Sequence, residues 1–328
     1  MNTSSDIKIK KPKVIDALRS GFNTVASKPF LILLPVLVDL LLWFGPIWRV
    51  DSFFRPLLKN ISNIPGMDVP EYAGLIQEYQ TQYQLVLKNF NLATTLRTIP
   101  IGVPSLMIAK SPLLNPIGKP LTIDLRTGFQ VIGLWLGFML IGFFIGSIYY
   151  NNISHQVIDD NKGKQFRNLI KSFIQIIMIP ILLVILFAII SIPLMFVITL
   201  LTIISPSIGE FGLLAAGLLI LWIIMPLIFT PHGIFLYKQN LIAAMMTSIS
   251  VVRVSMGKTL GFILLSLVLV QGLDYLWQIP PVDNWLLIVG ILGHAFIVTA
   301  IIAASFHFFI DATKFTQTIM NNRLKSIK

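Results

Sequence analysis

The sequence predicts an all-α, polytopic membrane helix bundle of six transmembrane helices, with interfacial helices and one long extracytoplasmic loop. Three observations predict it. Of the 328 residues, 55% are apolar and only 12% charged, with mean hydropathy +0.82, about half the charge of a soluble domain. Six runs approach the ~20 residues needed to cross ~30 Å of hydrocarbon. Lysine and arginine are concentrated on alternate connections, as the positive-inside rule requires.

In chain order, residues 1–29 read as a cytoplasmic tail and interfacial helix, and 30–48 as the first span. This span is read as retained, because it ends in bulky Gly45-Pro46-Ile47-Trp48-Arg49 rather than a small-residue cleavage site. Residues 49–128 form the extracytoplasmic loop, followed by the second span at 129–150, a cytoplasmic loop at 151–172 and the third span at 173–204. The third span is long and carries Pro180 and Pro193, so it must tilt, kink or protrude, or split into a re-entrant element. The fourth span is 211–236, a cytoplasmic interfacial helix covers 237–258, the fifth and sixth spans are 259–277 and 285–310, and 311–328 is a cytoplasmic tail.

The four segments assigned inside carry 17 of the 25 lysines and arginines, and the short outer loops 205–210 and 278–284 carry none. Both termini are therefore placed in the cytoplasm of a multi-pass protein of the plasma (inner) membrane. The net charge of +11 is assigned to anionic lipid of the inner leaflet rather than to nucleic acid.

Each inner segment ahead of an outgoing span is amphipathic. Val14, Ile15, Leu18, Phe22 and Val25 share a face before span one; Phe166, Leu169, Ile170 and Phe173 before span three; Leu241, Ile242, Met245, Ile249, Val252 and Met256 before span five. Lys28, Lys171 and Lys258 stand where the spans begin, placed to snorkel to lipid head groups. The resulting unit of interfacial helix, span out and span back occurs three times, a weak internal repeat.

In the 80-residue loop, Tyr72, Leu75, Ile76, Tyr79, Tyr83, Val86, Leu87 and Phe90 form an apolar stripe that predicts an amphipathic helix over 71–91. The stretch from Ile99 to Pro120 carries five prolines, which excludes one continuous helix. It is expected to lie along the outer interface or to cap the bundle.

The amphipathic elbow running into Lys28-Pro29-Phe30-Leu31-Ile32-Leu33-Leu34-Pro35, with a second inner helix running into a later span, resembles a bacterial group. That group is the membrane domain attached to some glycerophosphodiester phosphodiesterases, with its free-standing YciC-like relatives. The resemblance implies a helical bundle. It carries over no catalytic residue, since the chain has no room for a phosphodiesterase domain.

The chemistry-bearing residues are few. There is no cysteine, which excludes thiol chemistry, disulfides and cysteine-held metals. Gly257-Lys258-Thr259 is not a phosphate loop, because Val252 stands where that loop needs glycine. His155, His232, His294 and His307 show no metal-ligand spacing; His155 with Asp159 and Asp160 reads as a solvated loop rather than an ion site. The sequence thus points to no catalytic residue, no cofactor and no metal. Gly133, Gly137, Gly142 and Gly146, in two small-xxx-small pairs on span two, predict helix packing, either within the chain or against a membrane-protein partner. Asp39, about eleven residues beyond Lys28, falls near mid-bilayer, and His294 at comparable depth. The two are a candidate intramembrane pair that could share a proton or hold a substrate head group; a structural hydrogen bond to a neighbouring helix is the favoured reading of Asp39. The function expected from these features is a non-enzymatic scaffold or accessory subunit of a membrane complex. The alternative is a transporter or lipid-handling protein with a cavity near Asp39 and His294.

Overall fold

The computed structural model describes residues 11–61, 78, 81–83, 86–87, 90–110, 113–158 and 166–327. It is an all-α polytopic bundle. Five helices are long and apolar enough to cross a membrane, and a sixth crossing arises if the bent pair Val14–Ser27 and Pro29–Phe44 is one span.

Helix α1 (Val14–Ser27) buries Ala17, Leu18, Gly21 and Val25. A Cβ at Gly21 would collide with the backbone at Ala300 and Ala304, so glycine lets the two helices touch. The apolar face expected to lie in the lipid interface is thus taken largely by protein, although Ile15 of that face is exposed. After Lys28 the chain bends by 94° at Pro29. It passes through a 3-10 turn, Pro29–Ile32, into α2 (Leu33–Phe44), and proline fits the first turn because no amide donor is needed there. Strand β1 (Ile47–Arg49) follows, then α3 (Asp51–Ile61). Strand β2 (Thr122–Asp124) pairs in parallel with β1, Ile47 against Thr122 and Arg49 against Asp124, so the exit of α2 is tied to the entry of the next span. Around this pair Val50, Leu87, Leu92, Leu125 and Val131 form a small separate core.

Most of the expected helix 71–91 lies outside the described residues. Of its stripe, Leu87 is buried while Tyr83 and Val86 are exposed. Between it and β2 the chain forms a 3-10 turn, Leu92–Leu96, and a short helix α4 (Met107–Lys110).

Helix α5 (Gly128–Ile158) is span two. Helix α6 (Phe166–Ile204) runs without interruption through Pro180 and Pro193, so this stretch is one helix and no re-entrant element. Only Ser205 separates it from α7 (Pro206–Ile224), in place of the longer outer loop expected there. Span four, by contrast, is broken: α7 ends at a 3-10 turn, Met225–Leu227, and resumes as α8 (Thr230–Tyr237), with Pro226 and Pro231 at the break. The expected inner helix 237–258 and span five are a single α9 (Leu241–Trp277), capped by the Asn240 side chain on the Ala243 amide and kinked at Ser255. The expected unit of elbow and span is thus sharply bent once, continuous once and kinked once.

Helix α10 (Leu287–Ile327) is the axis of the bundle. Ala295, Ala300, Ala303, Ala304, Phe306 and Phe309 on it are fully buried. Polar pairs fix its neighbours: Tyr149 Oη to Thr299 at 2.7 Å, His232 Nε2 to Ser305 at 2.7 Å and His307 Nε2 to Thr24 at 3.0 Å. Such interhelical bonds are each worth roughly 0.6–2 kcal/mol in a bilayer.

Candidate functional site: an inserted loop beside an apolar chamber

Residues 91–110 enter the bundle and turn back within it. The four glycines of α5 show how. At Gly142 a Cβ would overlap the Leu96 carbonyl, and at Gly146 it would lie 3.3 Å from the Ile101 oxygen. Gly133 and Gly137 face open space. The first pair therefore touches nothing among the described residues, and the second admits a non-helical loop rather than another helix. Gly146 is eighteen residues into α5, ~27 Å below its start. Irregular backbone at such depth persists only where protein shields it. Ile101, Val103, Leu106 and Met107 are indeed buried to 2% exposure or less.

Polar bonds hold this loop at its entry, tip and exit. Asn91 Oδ1 accepts from the Ala93 and Trp48 amides. At the tip, Thr98 Oγ1 donates to the Ile101 carbonyl at 2.5 Å. On the return, Asp39 Oδ1 accepts from Ser105 Oγ at 2.5 Å and from the Met107 amide at 2.9 Å. Lys110 Nζ then donates to the carbonyls of Gln278 and Pro280, burial holding its pKa below the usual lysine value. Asn115 Nδ2 donates to the Trp43 carbonyl. Trp43 is fully buried and donates to the Val282 carbonyl at 2.7 Å.

The sequence-predicted polar pair sits where this loop meets the bundle. Asp39 is fully buried, and its bonded partners come from the inserted loop rather than from a neighbouring helix. His294, 6% exposed, is within electrostatic reach of Asp39, and its Nδ1 lies 2.7 Å from Asp274 Oδ1. Sequence reasoning misses Asp274 as a partner. Its signal is a carboxylate one turn before the end of span five, opposite a histidine nine residues into span six. Gly290 and Gly293 bring the pair together, because side chains there would strike the backbone and ring of Trp277. Asp39 Oδ2 and His294 Nε2 are buried without a hydrogen-bond partner among the described residues.

Neither Asp39 nor His294 lines the apolar cavity beside the loop. A chamber of about 560 Å³ opens beside the tip of the inserted loop. Ile99 and Pro100 of the loop form one wall. Leu183 of α6, Trp222 and Met225 at the end of α7, and Thr230 of α8 form others, closed by Met245 and Leu260 of α9. Apart from Thr230 the lining is apolar throughout.

Lys28, Lys171 and Lys258 are all exposed at the starts of their spans. Asp159 and Asp160, considered with His155, lie outside the described residues. Among the described residues no group of three or more acidic or histidine side chains could hold a metal ion. Comparisons with protein-family models, curated proteins and solved structures return no match to this chain.

Proposed function

We propose that this is a non-enzymatic lipid-handling protein of the plasma membrane, whose apolar chamber receives one hydrocarbon chain of a membrane lipid. The observation that carries the reading is the chamber itself. Its volume of about 560 Å³ lies within the range of ligand sites, and its lining offers dispersion and burial with a single hydroxyl. A wall made of irregular backbone, held by separate polar bonds, is a costly way to fill a bundle and a direct way to shape a recess. The layout resemblance to YciC-like proteins and phosphodiesterase membrane domains remains a proposal compatible with this role.

A scaffold function is the second reading. One observation favours it: the most hydrophobic windows of α6 and of the α7–α8 span have no buried residue, so this hairpin offers two apolar helices to lipid or to a partner.

The test fills the chamber. Leu183→Trp and Ile263→Trp add bulk to its wall, and the purified protein is titrated with a fluorescent dioleoylglycerol in detergent. Both variants are expected to lose about tenfold or more in affinity while keeping the wild-type melting temperature. Unchanged binding in both folded variants would reject the chamber as the lipid site.

The orientation belongs to the same proposal. The ends rich in lysine and arginine face the cytoplasm, with anionic inner-leaflet lipid at Lys28, Lys171 and Lys258. Because the chain has no cysteine, single probes report cleanly. Asn284→Cys is expected to react with an impermeant maleimide in intact cells and Ser326→Cys only after lysis; the reverse pattern would invert the topology.

A further inference from the structure

Arg97 is the unexplained charge of the inserted loop. It is exposed, and its guanidinium has no hydrogen-bond or ion-pair partner among the described residues. It lies between Leu96, whose carbonyl rests on Gly142, and the tip residue Ile101, whose carbonyl rests on Gly146. Its backbone is therefore ~21–27 Å below the start of α5. Its side chain is within electrostatic reach of Tyr150, close to the far end of that span. The Tyr150 ring is 6.0 Å from Phe235 of α8, the helix whose Thr230 and Pro231 line the chamber. Ile99 and Pro100, two and three residues beyond Arg97, line it as well. A cation that is never neutral thus stands beside an apolar recess, at a depth where an uncompensated charge is costly.

Resting on the chamber reading above, we propose that Arg97 is the head-group anchor of the site. The ligand is a phosphate-bearing lipid from the leaflet at the basic end. Its phosphate pairs with the Arg97 guanidinium and one acyl chain occupies the chamber. Guanidinium suits this task because its planar fork can bind two phosphate oxygens at once, and the low-dielectric surroundings strengthen the pair. The alternation of a lone arginine with apolar wall fits an amphiphile better than either a free anion or a neutral chain.

The test uses the full chain in detergent, with native mass spectrometry and two lipids that differ only in the phosphate, dioleoyl phosphatidic acid and dioleoylglycerol. The wild type is expected to prefer phosphatidic acid by about tenfold or more. Equal affinity of the wild type for the two lipids overturns the proposal without any variant. R97Q is expected to abolish the preference while still binding dioleoylglycerol, and R97K to retain part of it. A folded R97Q that keeps the full preference also overturns it, while leaving the chamber reading intact. That reading fails separately, if Leu183→Trp and Ile263→Trp leave dioleoylglycerol binding unchanged. Excess inorganic phosphate is expected to leave the bound lipid in place; its displacing phosphatidic acid to the dioleoylglycerol level would assign Arg97 to free anions and overturn the lipid assignment.

Discussion

Replacing Asp39 by leucine is expected to release the inserted loop, whereas asparagine is expected to leave it seated. One carboxylate oxygen, Oδ1, accepts both loop bonds, from Ser105 Oγ and the Met107 amide. The amide oxygen of asparagine can take its place, and the amide NH2 then stands where Oδ2 did, an atom that makes no hydrogen bond among the described residues. Leucine strands the Met107 N–H in a buried site, at a cost of about 1–3 kcal/mol for an unpaired donor, with a further loss if Ser105 finds no new acceptor. The measurement is thermal unfolding in detergent, alongside maleimide labelling of an Ile101→Cys probe in the otherwise cysteine-free chain. Asp39→Leu should lower the melting temperature and expose the probe at position 101, while Asp39→Asn should do neither. An Asp39→Asn variant that folds normally, keeps that probe protected and yet fails to complement a dependent strain would show that the ionised carboxylate works in a cycle rather than as a clasp.

The multi-span character and the burial of Asp39 are legible in the sequence because each rests on transfer free energy, which composition and position report directly. The inserted loop is not. Hydropathy marks the region 98–107 as apolar and its prolines rule out a continuous helix, but neither says whether such a segment lies on a membrane surface or inside a bundle. That is decided by the partners, and these are single groups far away in sequence: Asp39 for Ser105, the carbonyls of Gln278 and Pro280 for Lys110, the Trp43 carbonyl for Asn115. Proline misleads in the opposite direction in span three. Pro180 and Pro193 interrupt individual hydrogen bonds of α6 without ending it, since apolar surroundings penalise unravelling more than one lost bond. The central role of α10 is also readable, in the small residues Ala295, Ala300, Ala303 and Ala304. The glycine spacing on α5 draws attention first because it matches a known motif.

That motif supplies the second large effect. Gly133 and Gly137 share their spacing with Gly142 and Gly146, so sequence alone assigns the two pairs equal weight. The structure separates them. Alanine at Gly133 and Gly137 meets no atom within 4 Å and removes the conformational cost of glycine in a helix, a gain of roughly 0.5–1 kcal/mol each. Alanine at Gly142 must displace the Leu96 carbonyl, which is backbone and cannot rotate away. Overpacking of this kind costs about 1–3 kcal/mol, and the strain falls on the limb that carries Arg97 and the chamber wall. Gly146, with 3.3 Å to the Ile101 oxygen, should lie between the two cases. Gly142→Ala is therefore expected to lower the melting temperature, expose an Ile101→Cys probe and weaken dioleoylglycerol binding, while the double variant at Gly133 and Gly137 melts at or above the wild-type temperature. If Gly142→Ala were as stable and as well protected at position 101 as that double variant, the loop could not be seated against α5. The chamber would then lose the wall formed by Ile99 and Pro100. If instead the double variant were the unstable one, the outer glycine pair would hold a partner copy or another membrane protein, which is the outcome the scaffold reading requires.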